Sequence, residues 1–207
     1  MRLFEVAGAG VARDTDIIFQ VLDSVVPDGA GSYLAAPIST GRRYFEALAE
    51  YKVRDLPGLI ATIGEAEYLR LVRWPNVEDG EALAMQLRHA GVPHLINTGP
   101  IFIKEWRGRD YMNLCLKLIE RKVQRAYFHP DWAYSAGAVE EFVFCAQHGL
   151  TLLTSEGKSL TLQAALTALA SVRSYLQSFF YPTDFVEQQM AGIGTLIDSR
   201  KYCASIP

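Results

Sequence analysis

Residues 123–155 read VQRAYFHPDWAYSAGAVEEFVFCAQHGLTLLTS, and this stretch decides the fold. It predicts a buried strand over 123–128, a polar turn, a helix that begins near Ser135, and a second strand over 150–154. A strand, a helix and a strand in succession are typical of a parallel α/β sheet. Polar side chains that follow such a strand lie at its carboxyl end, where open α/β sheets bind ligands.

The helix in this stretch carries two adjacent acids. Its apolar residues have helical spacing and form one stripe: Val139, Phe142, Val143 and Ala146. Ser135 is the expected N-cap. Glu140 and Glu141 then project about 100° apart, so at most one of them points into a cleft. The alternative is that both acids only complement the positive end of the helix dipole.

The composition is that of a globular protein without a polyanionic partner. The chain has 207 residues, half of them apolar, and a net charge of −3 without a basic run, which argues against nucleic-acid binding. The three cysteines, Cys115, Cys145 and Cys203, lack metal-ligand spacing, so we expect neither a metal nor another cofactor. Their odd number fits a reducing compartment, and no stretch suits a membrane span, so we predict a cytoplasmic protein.

The N-terminal run GAGVA, which contains Gly8 and Gly10, suggests a dinucleotide-binding loop but does not complete one. Arg13 stands where a third glycine is needed, so we interpret the run as an ordinary strand and turn. A short helix over 14–26 should follow, ended by Pro27.

A possible anion site follows the next predicted strand, over 32–38. Ser39, Thr40, Gly41 and Arg42 come directly after it, and a helix begins there. Unpaired backbone N–H groups at a helix N-terminus, with hydroxyl and guanidinium donors beside them, suit a phosphate. The alternative is that these residues only form a turn and that the arginines are solvated.

The middle of the chain is less regular. Residues 52–75 are predicted to be a helical insertion, 78–90 a helix and 93–98 a strand. A loop over 99–108 contains Trp106, which could stack on a flat ring, although tryptophan is more often a packing anchor. Asp110 lies at or beside the N-cap of the next helix, where capping is its usual role.

The chain from 159 onward is predicted to be helical, with Pro182 separating two helices. We therefore divide the chain into an α/β domain over 1–158 and a helical extension over 159–207, packed on the domain or on a dimer partner. The predicted fold class is α/β: a flavodoxin-like or Rossmann-like three-layer sandwich with a parallel sheet of about five strands.

Three separated pieces resemble the nucleoside 2-deoxyribosyltransferase superfamily, which includes the nucleoside 5'-monophosphate N-glycosidases. They are YLAAPI from Tyr33 with Gly41 and Arg42 behind it, Asp110 at a helix start, and SAGAVEE from Ser135. The resemblance covers roughly residues 32–156. It implies that Glu141 attacks the anomeric carbon of a sugar, because Glu141 follows Ser135 by six positions with Gly137 between them. Glu140 would take this role if the register of the helix differed by one residue.

The resemblance also implies the remaining roles. Tyr33 would orient Glu141, and Asp110 would protonate or hold the leaving base. The deoxyribosyltransferases tend to have Asp at the position of Ser135, so the serine favours a phosphorylated nucleoside. Ser39, Thr40, Arg42 and Ser135 would hold the phosphate, and Gly41, Gly137 and Trp106 would complete the substrate-binding site. The expected activity is hydrolysis or transfer at the N-glycosidic bond of a nucleoside monophosphate, by a homodimer or higher homo-oligomer. A glycohydrolase of NAD or another nucleotide derivative, and a non-catalytic nucleotide sensor, are the alternatives.

Overall fold

A computed structural model describes residues 9–204. Its strands are β1 (Gly31–Ala35), β2 (Leu95–Asn97), β3 (Val123–Phe128) and β4 (Thr151–Thr154). Its helices are α1 (Ala9–Val25), α2 (Arg42–Tyr51), α3 (Leu56–Ile63), α4 (Glu65–Tyr68), α5 (Trp74–His89), α6 (Gly108–Lys122), α7 (Ala136–Gln147), α8 (Leu162–Ser178) and α9 (Asp184–Ala204). A π-helical segment (Leu69–Arg73) joins α4 to α5, and a 3-10 turn (Trp132–Tyr134) precedes α7.

The strands form one parallel sheet in the order β2-β1-β3-β4. This confirms the α/β class and the strands predicted around residues 32, 95, 125 and 152. The prediction of about five strands is wrong for the described part of the chain, which has four. The strand predicted in the GAGVA run accounts for the difference: from Ala9 onward these residues belong to α1, whereas Gly8 lies outside the described residues.

The sheet is covered on both faces. Successive residues of a strand point to opposite faces, so Tyr33 and Phe128 lie in the core beneath α6 and α7. Leu34 and Tyr127 point the other way and pack with Leu83 of α5. The central strand β1 is buried at all five positions, as expected for a strand between two layers.

The C-terminal helices pack on the rest of the chain. α9 lies against α7, and α8 lies against α9 and the 3-10 turn. Their apolar residues Leu169, Val172, Leu176 and Ile193 are buried in the same core as the residues beneath α7. A dimer is therefore not needed to cover this stripe, and the homo-oligomer stays a prediction that depends on the family resemblance.

The predicted insertion over 52–75 is helical, and the helix that follows starts earlier than predicted. α3, α4 and the π-helical segment fill the insertion. α5 begins at Trp74 rather than at residue 78, because Pro75 is tolerated in a first helical turn. As a result Asn76, which the sequence analysis left without a role, faces the loop that follows β1.

Candidate functional site

The crevice where ligands are expected in this topology lies between β1 and β3. The chain that leaves β1 returns to the sheet as β2 on one side, whereas the chain that leaves β3 returns as β4 on the other side. The loops after β1 and β3 therefore diverge. Such a switch point at the carboxyl ends of parallel strands is where open α/β sheets bind ligands. The loop 36–41, called here the β1–α2 loop, and the loop 129–135 border this crevice.

Glu141 and Tyr33 meet at the base of the crevice. The Tyr33 hydroxyl donates to Oε1 of Glu141 over 2.7 Å, although 108 positions separate the two residues. Tyr33 is 1 % and Glu141 6 % exposed. The hydroxyl of Thr98, at the end of β2, lies 3.2 Å from the Tyr33 oxygen and 3.5 Å from Sγ of Cys115. The result is a buried polar network in an otherwise apolar layer.

Burial changes the acidity of every group in this network. Desolvation raises the pKa of Glu141 to about 7, and the charge of Glu140 adds to the increase, while hydrogen bonds from Tyr33 and Cys115 oppose it. Burial also raises the pKa of Tyr33 well above its usual value and that of Cys115 to about 12. Tyr33 therefore remains a donor, and Glu141 exists in both protonation states near neutral pH.

Glu140 points away from this network. Its Oε1 accepts from a terminal guanidinium nitrogen of Arg109 over 3.1 Å at the surface. The expectation that only one acid of the pair can enter the cleft is confirmed, and the buried one is Glu141. The alternative in which both acids only complement the helix dipole does not explain why Glu141 is buried against a tyrosine hydroxyl.

The β1–α2 loop and the start of α7 are in direct contact. Ser135 caps α7 by accepting from the Ala138 N–H, as predicted, and its oxygen also accepts from the Thr40 hydroxyl over 3.3 Å. Gly41 has φ +100, and a Cβ at this position would approach Cβ of Pro37 to 2.7 Å, so only glycine fits there. The N-termini of α2 and α7 consequently lie side by side.

Arg42 reaches across the crevice. Its Nε donates to Oδ1 of Asp131 over 3.0 Å, and its guanidinium lies 4.5 Å from the ring centre of Tyr134. The ion pair raises the pKa of Arg42. Gly137, in the first turn of α7, allows the close approach of Met112, whose methyl carbon would be 3.1 Å from a Cβ there.

Two predicted site residues, Asp110 and Trp106, are absent from the lining of the Glu141 pocket and make other contacts. Oδ2 of Asp110 accepts from the backbone N–H of Arg107 in a capping box at the start of α6. Trp106 is buried, packs edge-on against Tyr111 and donates from Nε1 to Asp14, which makes it a packing anchor. The substrate-stacking role of Trp106 therefore finds no support in its placement.

A small cavity lies against Glu141. Its volume is about 20 Å³, and its lining comes from β1, β2, α5 and α7, including Tyr33, Asn76, Gly80, Thr98 and Glu141. This volume holds about one water molecule. A larger, open and mostly apolar cavity of about 650 Å³ lies between α1 and the edge strand β2, lined by Ile17, Val21, Leu22, Leu95 and Leu118 among others. The described residues that line it include no carboxylate, and the lining suits an apolar contact rather than a sugar.

Sequence reasoning missed Thr98, Cys115, Tyr68 and Asn76. Thr98 ends a predicted strand, so its place at the carboxyl edge of the sheet was a usable signal. The other three lie within helices, where only the tertiary structure shows that they face the crevice. Among residues 9–204, no group of three His, Cys, Asp or Glu side chains could hold a metal ion, and no helix is long and apolar enough to cross a membrane.

Comparisons of the chain with protein-family models, curated proteins and solved structures found no match. The family resemblance therefore stays a prediction.

Proposed function

We propose that the protein cleaves the N-glycosidic bond of a nucleoside 5'-monophosphate, with Glu141 as the nucleophile. The observation that carries the proposal is the buried hydrogen bond from Tyr33 to Glu141 at the carboxyl edge of a parallel sheet. A desolvated carboxylate lowers stability, and such a cost is often retained where function requires it, which is why strongly shifted acids mark candidate sites.

The chemistry follows from the two states of Glu141. In its ionised form the carboxylate attacks the anomeric carbon and forms a glycosyl ester, while the base leaves with the electron pair of the broken bond and takes up a proton from solvent. Water or an acceptor hydroxyl then releases the sugar and returns the carboxylate. A pKa of about 7 leaves a substantial ionised fraction at neutral pH, and the donor hydroxyl of Tyr33 holds the attacking group in one orientation.

The phosphate is assigned to the junction of the β1–α2 loop and α7. Two helix N-termini and the hydroxyls of Thr40 and Ser135 lie together there. Arg42 adds a positive charge but is paired with Asp131 in the free protein. A phosphate would therefore compete with Asp131 for the guanidinium, and part of the binding free energy would be spent on that exchange.

Substrate binding requires the Glu141 pocket to widen, because about 20 Å³ holds a water molecule but no sugar. Asn76, Val77 and Gly80 form one wall of the pocket. We expect the first turns of α5 or the loop 99–108 to move when a nucleotide binds. Closure around the substrate would then exclude water from the developing positive charge on the sugar.

The non-catalytic nucleotide sensor stays the second candidate because of Asp110. Its carboxylate caps α6, and the lining of the Glu141 pocket contains no second carboxylate among the described residues. The Arg107 N–H bond holds Oδ2 of Asp110 at the start of α6. Without that acid, cleavage would depend on Glu141 alone.

Release of free base from a panel of nucleoside 5'-monophosphates tests the proposal. Glu141→Gln should abolish release while the fold is retained, because an amide of the same shape cannot act as the nucleophile. Glu140→Gln is the matched control and should retain most activity, since Glu140 faces Arg109 at the surface. Release of base by both variants would exclude Glu141 as the nucleophile, and binding without turnover in the wild type would favour the sensor.

A further inference from the structure

We propose that Tyr68 of α4 and Asn76 of α5 are positioning residues that turn the backbone N–H groups of the β1–α2 loop toward a bound phosphate. The proposal rests on the proposed function, in which this loop binds the phosphate of the substrate. It gives a specific role to the helical insertion over 52–75 and to the first turn of α5.

Three consecutive carbonyls of the loop accept hydrogen bonds from these two side chains. Nδ2 of Asn76 donates to the carbonyl oxygens of Ile38 and Thr40, over 3.1 and 2.6 Å. The hydroxyl of Tyr68 donates to the carbonyl oxygen of Ser39 over 2.7 Å. Both side chains belong to residues that are only 5 % exposed, so burial holds the donors in place.

These bonds determine the direction of the neighbouring N–H groups. In a trans peptide the C=O of one residue and the N–H of the next point in opposite directions. The carbonyls of residues 38, 39 and 40 each point to a donor from α4 or α5, so the N–H groups of Ser39, Thr40 and Gly41 point away from those donors. Backbone N–H groups that face away from the protein donors, next to a helix N-terminus, are suited to binding an anion.

The N–H groups of Ser39, Thr40 and Gly41 have no hydrogen-bond acceptor within residues 9–204. Most backbone N–H groups in folded proteins are paired with protein or water. Three consecutive donors without a protein acceptor, following the bound carbonyls of residues 38–40, are thus available to an anion.

Asn76 is itself fixed in orientation. Its Oδ1 accepts from a terminal nitrogen of Arg43 over 3.1 Å, so its Nδ2 must face the loop. Arg43 is also paired with Asp79 one turn further along α5. The start of α2, the loop and α5 therefore form one hydrogen-bonded unit. Displacement of α5 during substrate binding would change the presentation of the loop donors.

Amide chemical shifts of the full-length protein test the proposal directly. In the wild type, titration with inorganic phosphate should move the ¹H–¹⁵N signals of Ser39, Thr40 and Gly41. Tyr68→Phe removes one hydroxyl and should weaken phosphate binding about threefold to tenfold, the effect of one hydrogen bond. Asn76→Leu keeps the branched shape, with a larger volume, but removes both hydrogen bonds from Nδ2 to the loop, and should weaken phosphate binding roughly tenfold to a hundredfold.

Tyr51→Phe is the matched control, because Tyr51 lies at the end of α2 and also loses one hydroxyl. It should bind phosphate as the wild type does. Tyr68→Phe and Tyr51→Phe should bind the unphosphorylated nucleoside with unchanged affinity, because neither tyrosine lines the Glu141 pocket; a general loss of structure would not allow this. Equal phosphate affinity in Tyr68→Phe and Tyr51→Phe, or signals of residues 39–41 that do not move, would overturn the proposal.

Failure of this proposal and failure of the proposed function give different results. If nucleoside monophosphates release free base while phosphate leaves the three signals unmoved, the glycosidase stands and the positioning role is wrong. If no base is released but phosphate moves the three signals and Tyr68→Phe weakens the response, the positioning role stands for a protein that only binds.

Discussion

Replacement of Glu141 by glutamine should stabilise the protein, and the gain should grow with pH. The folded state holds the Glu141 pKa at about 7, against an ordinary value of 4.5. Between these two values the folded state binds the proton more tightly than the unfolded chain does. The carboxyl therefore costs no stability below pH 4.5, an increasing amount as the pH rises, and a constant amount above pH 7.

The size of the effect follows from the shift. A difference of about 2.5 pKa units corresponds to about 3 kcal/mol of unfolding free energy at pH 8, and to less than about 1 kcal/mol at pH 5. Glutamine has no charge to desolvate and keeps the shape. In a chain of this length, about 3 kcal/mol corresponds to a rise in Tm of roughly 6–12 °C.

Urea unfolding of the wild type and Glu141→Gln at pH 5 and pH 8 measures the effect. Glu140→Gln serves as the control and should change stability by less than about 1 kcal/mol at either pH, because it breaks only a surface ion pair with Arg109. A difference between the wild type and Glu141→Gln that is the same at both pH values would refute the reasoning, since it would show that Glu141 titrates at its ordinary pKa in the fold.

Three further changes probe other parts of the site and the fold. Tyr33→Phe removes a donor that lowers the Glu141 pKa, so the rising limb of kcat/KM against pH should move to higher pH. Arg42→Ala should weaken the binding of a nucleoside monophosphate about tenfold to a hundredfold and barely affect the binding of the nucleoside. Ser135→Asp should shift the substrate preference further toward the nucleoside. Values of kcat/KM for both substrates measure these effects. Lys122→Met should cost about 1–3 kcal/mol in urea unfolding, because the buried ammonium donates to a backbone carbonyl and two carboxylates at the end of α1.

The fold class and the position of Glu141 could be predicted because they depend on local patterns. The apolar run of β3 and the serine cap of α7 are fixed by a few neighbouring residues, and the structure confirms both. Helix periodicity then decides that one acid of the pair is buried. The start of the chain was harder to interpret. GAGVA is compatible with several local conformations, and the apolar spacing of Ile17, Val21 and Val25 further along makes it the first turn of a helix.

Asp110 and Trp106 show why the rest of the site could not be predicted from residue types. An acid near a helix start and a tryptophan in a loop have the same sequence appearance whether they bind a ligand or stabilise the fold. Asp110 bonds the Arg107 N–H, and Trp106 packs on Tyr111. Both outcomes follow from short-range contacts that compete with a functional role, and only the folded positions decide between them.

The crevice itself depends on which strands are neighbours, and the order of elements along the chain does not contain that information. If β1 lay at the edge of the sheet, the β1–α2 loop would be one strand farther from α7. Because β1 lies between β2 and β3, the bond from Thr40 to Ser135 and the ion pair of Arg42 with Asp131 close the same crevice from two loops. The same adjacency brings Tyr33 to Glu141. We therefore expect changes that weaken the β1–β3 pairing to impair phosphate recognition and the Glu141 environment together.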